Sequence, residues 1–254
     1  MAAFAGVRGS SILWQAVAFI ASFVSLPVVE VPVLVACWSV KGGAGTTVVA
    51  ASLALLLARD TVAGVVLADL AGDAPAVLGL AEPASPGLAG WLAAGPRVPA
   101  DALARIEVEA APGLGLLPRG DGDLQADRAG VLAALLDRSP RPAVVDCGRL
   151  THPAHGGDSS MAATAIVGRA HHSLLVTRPC YVALRRASQS PLRPTGVVIV
   201  NEPGRVLSSA DVHGVIRAPI VAQVELDPKV ARLVDAGLLS GRLPHSLAPL
   251  RDAA

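Results

Sequence analysis

Charge is scarce in this 254-residue chain: Asp, Glu, Lys and Arg make up 16% of it and nearly cancel, leaving a formal net charge of +1. Soluble domains average about 25% charged residues. A balance this close to neutral predicts neither nucleic-acid nor anionic-membrane binding through a basic surface. Cysteine is sparse and odd in number. Cys37, Cys147 and Cys180 each lie in or beside an apolar run, which excludes a disulfide scaffold and fits buried thiols in a reducing cytoplasm. Cys-x-x-Cys and His-Glu-x-x-His are both missing, so His152, His155, Asp158, His171 and His172 lack the local spacing of a zinc site. Residues 152–157 read instead as a flexible loop before a helix over 159–167.

What is present is apolar bulk. With 52% hydrophobic residues, the chain is long enough to bury one substantial core as one domain. An apolar strand over 33–38 runs into the glycine-rich turn Lys41-Gly42-Gly43-Ala44-Gly45-Thr46-Thr47, followed at once by an Ala/Leu-rich helix over 46–58. Strand, tight loop and helix N-terminus together present backbone N–H groups to phosphate. The general phosphate loop ends Gly-Lys-Ser/Thr. Here Gly45 and Thr47 stand in place, with Thr47 able to offer its hydroxyl to Mg²⁺, but Thr46 occupies the lysine position. A hydroxyl cannot supply the long-reach positive charge that meets the β and γ phosphates. The loop therefore supports a phosphate-binding shape better than hydrolysis.

Residues 41–47 resemble the deviant Walker A loop of the ParA/MinD family of P-loop ATPases, whose usual form is Lys-Gly-Gly-x-Gly-Lys-Thr. The resemblance runs from about Val33 to Leu243. Its nearest branch is the actinobacterial septum-site-determining-like proteins, related to localisation factors of Tad pilus systems. It implies a three-layer α/β P-loop NTPase fold with a mostly parallel central sheet, and ATP and Mg²⁺ as cofactors. It also implies a nucleotide-sandwich homodimer, in which Lys41 reaches the phosphates bound in the opposing subunit. Gly42, Gly43, Ala44, Gly45, Thr46 and Thr47 become the nucleotide-binding loop.

The resemblance extends to the strand ends, where ligands sit in such sheets. Asp69 closes a strand over 62–68 and matches the first aspartate of the family's Asp-Leu-Asp segment, whereas the second is Ala71. Asp73, two residues on, either substitutes for it through a rearranged loop or caps the segment 75–80, and capping is the simpler reading. Asp146, followed by Cys147-Gly148-Arg149, closes the strand 142–146 and matches the aspartate that holds Mg²⁺; without metal it would cap or pair with Arg149. Lys41, Asp69 and Asp146 are thus the implied catalytic residues, and Thr47, Asp69 and Asp146 the implied Mg²⁺ residues. Asn201, after a strand over 195–200, corresponds to a contact with the adenine base, although Glu202 follows it where the family has a basic residue.

Elsewhere the apolar spacing predicts a helix over 121–138, the chain in order reads as a strand 173–177, a helix 181–188 and a helix 228–236, and the resemblance adds strands over 111–119 and 218–224. Asp227 and Pro228 start that last helix, and Gly237 stops it. Trp91 reads as packing, Arg119 as solvated, and Arg185 and Arg186 as a solvated pair too small to bind DNA. Residues 1–30 form an apolar extension outside the family pattern, either a membrane-associating segment or a surface helix, linker remnant or upstream start. Residues 31–243 form the P-loop domain, and 244–254 a flexible tail that packs briefly and frays. The expected protein is cytoplasmic, at most peripheral to the inner face of the membrane. Its expected role is localisation in septum placement or pilus secretion, with weak or absent hydrolysis. A nucleotide-independent scaffold, a slow DNA-partitioning ATPase and a detached effector domain are the alternatives.

Overall fold

The computed structural model describes residues 33–253, apart from 85, 96, 97, 100 and 152–156. The N-terminal extension, His152 and His155 lie outside the described residues.

Strand β1 (Leu34–Ser39) is buried along its whole length. Its alternate residues serve two cores: Val35 and Cys37 enter one apolar cluster, Leu34, Ala36 and Trp38 another. A strand covered on both faces has no polar face to show, hence the unbroken apolar run. The same holds for β2 (Val65–Asp69), β4 (Leu114–Leu117) and most of β5 (Ala143–Arg149). With β3 (Val108–Ala111), β6 (His172–Thr177), β7 (Gly196–Asn201) and β8 (Ile220–Glu225), they form an eight-stranded sheet in the order β3-β4-β2-β5-β1-β6-β7-β8. All the pairings are parallel except β3 with β4. The order reverses at β1, so the loop that leaves β1 opens at a topological switch point, where such folds bind ligands.

Helices cover both faces. Helix α1 (Thr46–Asp60), α2 (Ala74–Leu78) and α9 (Pro228–Asp235) contribute to one cluster, together with the 3-10 helix His245–Ala253. Helices α3 (Gly87–Ala93), α5 (Ala129–Asp137) and α6 (Asp158–Val167) fill the other. Leu184 of α7 (Tyr181–Gln189) and Val212 of α8 (Ser209–Ile216) pack on Val197 and Ile199 near the β8 edge, while α4 (Ala102–Ile106) is a short turn before β3. This is a three-layer α/β fold with a mostly parallel sheet, as expected from the sequence.

Several local expectations are corrected. The strand expected over 111–119 is half of a hairpin, because Gly113 takes a left-handed turn (φ 76°) between β3 and β4. The helix expected from 121 begins at Ala129; Leu124 is still buried, but from a loop in which its N–H donates to Ser159 Oγ. The tail does not fray: Leu247, Leu250 and Ala253 are buried, and Arg251 pairs with Asp60 at 3.1 Å. Arg119 is half-buried rather than solvated, donating to the carbonyls of Leu70 and Gly122. Cys37 and Cys147 are buried, whereas Cys180 is only half-buried. Trp91 is buried, with Arg128 stacked on its ring at 3.9 Å. Asp227 caps α9 by accepting from the Lys229 N–H at 2.8 Å, as its position before Pro228 predicts.

Candidate functional site

The loop between β1 and α1 turns on two glycines. Gly43 and Gly45 have φ values of 73° and 92°, a left-handed backbone that side chains with a Cβ adopt only at a cost. Gly45 is the N-cap of α1 and makes no side-chain cap bond, and the first turn carries no acidic residue. The orphan N–H groups and the positive end of the helix dipole thus face an anion position without a built-in competitor. Residues 42–47 line one wall of a cleft of about 600 Å³, whose other walls include Leu70, Ala71, Asp73, Gly148, Arg149, Ser159 and Ser160. That volume lies within the range of small-molecule sites.

Two carboxylates sit beneath the cleft. Asp69 and Asp146 are paired across β2 and β5, and both are fully buried. They behave differently. Asp69 accepts three backbone N–H groups: Ala71 at 2.9 Å and Gly72 at 2.7 Å on Oδ1, and Ala74 at 2.9 Å on Oδ2. Burial pushes its carboxyl up, and these bonds only partly offset it. Asp146 accepts the Gly148 N–H at 2.9 Å on Oδ1, and its Oδ2 is buried without a hydrogen-bond partner. Desolvation raises Asp146 to about 7; the nearby Thr47 hydroxyl favours the ionised form, and Asp69 opposes it. Thr47 thus stands close to the carboxyl group without closing a hydrogen bond on Oδ2.

A buried, unpartnered carboxylate oxygen is costly unless something binds it. A hydroxyl and a carboxylate oxygen beside a glycine loop are the oxygen donors that suit a hard cation. Thr47 and Asp146 therefore fit Mg²⁺. Asp69 fits less well as a direct ligand, since both oxygens are already engaged in holding the turn that begins α2.

The reading of Asp73 is also corrected. It stands at the N-cap of α2 but makes no side-chain cap bond: its backbone is helical rather than extended, and Pro75 at the second helical position has no N–H to donate. Its exposed carboxylate lines the cleft instead. The pairing of Asp146 with Arg149 is likewise not formed. Ala71 faces Gly148 so closely that a Cβ on that glycine would come within 3.0 Å of the Ala71 Cβ.

Lys41 and Asn201 do not line this cleft. Lys41, half-buried, has its Nζ 3.4 Å from the Gly42 carbonyl and borders a small hollow with Arg178, Cys180 and Ala183. Asn201 donates to Glu225 Oε1 at 3.1 Å on the neighbouring strand. Glu202 is tied to Arg205 at 2.7 Å and lies 3.7 Å from Arg178. His171 serves the fold: its Nδ1 accepts the Leu34 N–H at 3.0 Å, and Nε2 points to Asp137 at 3.4 Å. Sequence reasoning missed Arg149, Ser159 and Ser160 as cleft residues. For Arg149 a signal existed, three positions past Asp146 on the same strand; for the serines it was the start of α6.

No family model matches the chain, and no curated protein matches it by sequence. Solved structures do match in shape. A ParA family ATPase from Chlorobium tepidum aligns with TM-score 0.71 at 19% identity, covering 87% of this chain and 96% of the other. The septum site-determining protein MinD from Pyrococcus horikoshii, solved with Mg-ADP, aligns with TM-score 0.67 at 18% identity over 87% and 94%. The MinC:MinD cell division complex from Aquifex aeolicus gives a TM-score of 0.65 at 21% identity over 87% and 93%. At these identities the likeness is one of fold, and this chain has the fold of the ParA and MinD ATPases.

Proposed function

We propose that this chain is a nucleotide-responsive localisation protein that binds ATP and Mg²⁺ in the loop cleft. Residues 42–47 would cradle the phosphates with backbone N–H groups, and Thr47 and Asp146 would hold the metal. Mg²⁺, when bound, neutralises phosphate charge. Asp69 shapes the floor by fixing the turn over 71–74 and by raising its neighbour's proton affinity. The observation that carries this reading is the buried, unpartnered Asp146 Oδ2 beside Thr47, at the mouth of a left-handed glycine loop.

Turnover is expected to be weak or absent, since Thr46 and Ala71 replace two groups tied to phosphate stabilisation and attack. Nucleotide would then act by favouring an assembled state through differential affinity, with Lys41 on the outer flank of the loop available to a second copy. The neighbours' association with cell division supports a partner at the division site. A pilus or secretion partner rests on the loop resemblance alone. A nucleotide-independent scaffold is the second reading, favoured by Thr46. Calorimetric titration with ATP separates the two: saturable binding in Mg²⁺ that weakens in EDTA supports the first, and no binding at millimolar ATP supports the second.

A further inference from the structure

The nucleotide reading leaves a charge problem. Thr46, 7% exposed, ends in a hydroxyl where phosphate needs a cation, and Lys41 lies in the neighbouring hollow. Among the described residues lining the cleft, Arg149 is the basic one. It is the last residue of β5, in register with Ser39 at the end of β1, so two strand ends hold its backbone beside the loop. Its stem runs against the loop: a Cβ on Gly42 would meet Arg149 Cδ at 3.9 Å, ordinary van der Waals contact. The side chain is exposed and makes neither an ion pair nor a side-chain hydrogen bond with any described residue, although Asp73 shares the cleft.

Resting on the nucleotide-binding reading, we infer that Arg149 supplies the positive charge Thr46 lacks, meeting the terminal phosphates of the nucleotide from the β5 side of the cleft. A guanidinium is suited to this: it stays charged, its planar fork matches two phosphate oxygens, and its reach exceeds that of the missing ammonium's neighbours in the loop. It binds phosphate from outside the loop, where a lysine at 46 would bind from within. Arg149 also borders an adjoining cavity of about 270 Å³, where Arg186 is the other basic residue. Arg186, with Nη1 3.5 Å from the Val40 carbonyl, does not line the loop cleft and serves as the control.

The test measures dissociation constants of Mg-ATP and AMP by calorimetry for the wild type, R149A, R149K, R186A and the double variant R149A/T46K, with melting temperatures as a check on folding. R149A should weaken ATP binding about ten- to hundredfold, the loss expected for a charge-assisted hydrogen-bonded contact. AMP binding should change far less. R149K should fall between, and T46K should restore ATP binding to R149A by returning a cation from the other side. Wild-type binding of ATP that survives R149A unchanged overturns the inference and leaves the nucleotide reading standing. Equal losses for R149A and R186A, or for ATP and AMP, overturn it too. A wild type that binds no ATP removes the nucleotide reading itself, and the inference with it. Should R149A melt below the wild type, the R149K arm, with charge kept and the fork removed, still decides the question.

Discussion

Replacing Asp146 with asparagine isolates a buried carboxylate with one unpartnered oxygen. In the absence of metal, burial carries this carboxyl from the ordinary 3.8 to about 7. Between those values the unfolded chain has released the proton and the folded chain keeps it. The folded state therefore binds more protons, and the contribution of Asp146 to stability falls as pH rises through this window and levels off above about 7. At about 1.4 kcal/mol per pH unit, the full penalty at pH 8 is about 4 kcal/mol, and relaxation around the site leaves roughly half of it. Asparagine keeps the acceptor that Oδ1 offers to Gly148 N–H and carries no charge. Asp146→Asn should thus raise the melting temperature in EDTA at pH 8 by roughly 4–8 °C, taking 2–4 °C per kcal/mol for a domain of this size. At pH 5 only about a third of that penalty has accrued, so the gain should shrink to roughly 2–3 °C. Thermal unfolding followed by circular dichroism at both pH values reads this directly. A variant that melts lower than the wild type at pH 8, or whose gain is the same at pH 5, would refute the assignment of a destabilising buried charge.

Deleting residues 245–253 removes Leu247 and Leu250 from the core, and should cost at least about 3 kcal/mol at roughly 1.5–3 kcal/mol per buried leucine; a urea midpoint unchanged by the deletion would restore the picture of a fraying tail. Gly45→Ala places a Cβ on a residue with φ of 92° and should cost about 1–3 kcal/mol, with nucleotide affinity falling alongside it. Equal melting temperature and equal affinity would show that the loop does not need that backbone.

The sequence made the layers legible because both-sided burial leaves a signature in the strands. Runs such as Leu34–Trp38 and Val197–Val200 have no polar alternation, and only a sheet covered on each face uses such strands. The phosphate loop was legible for a similar reason: Gly43 and Gly45 are demanded by backbone conformation. What stayed hidden depended on contacts between distant segments. Asp73 looks like a helix cap from its spacing, and loses that role because its backbone is helical and Pro75 offers no N–H at the capped position. The 3-10 turn His245–Ala253 has a weak local pattern, yet docks because α1 and β8 leave a place for Leu247 and Leu250. Helix α8 carried a readable signal in Ser208 and Asp211, whose side chains bond reciprocally as a capping box. Arg149 read as a possible partner for Asp146; the fold turns the two apart, one into the floor and the other into the cleft.

The most direct test of the nucleotide switch is the mass of the protein in solution, measured by light scattering without nucleotide, with Mg-ADP and with Mg-ATP, for the wild type and Lys41→Ala. The account predicts a monomer without nucleotide, conversion to a dimer in Mg-ATP, and loss of that conversion in the lysine variant. A mass unchanged by Mg-ATP at millimolar concentration would contradict it and leave the fold as a docking scaffold.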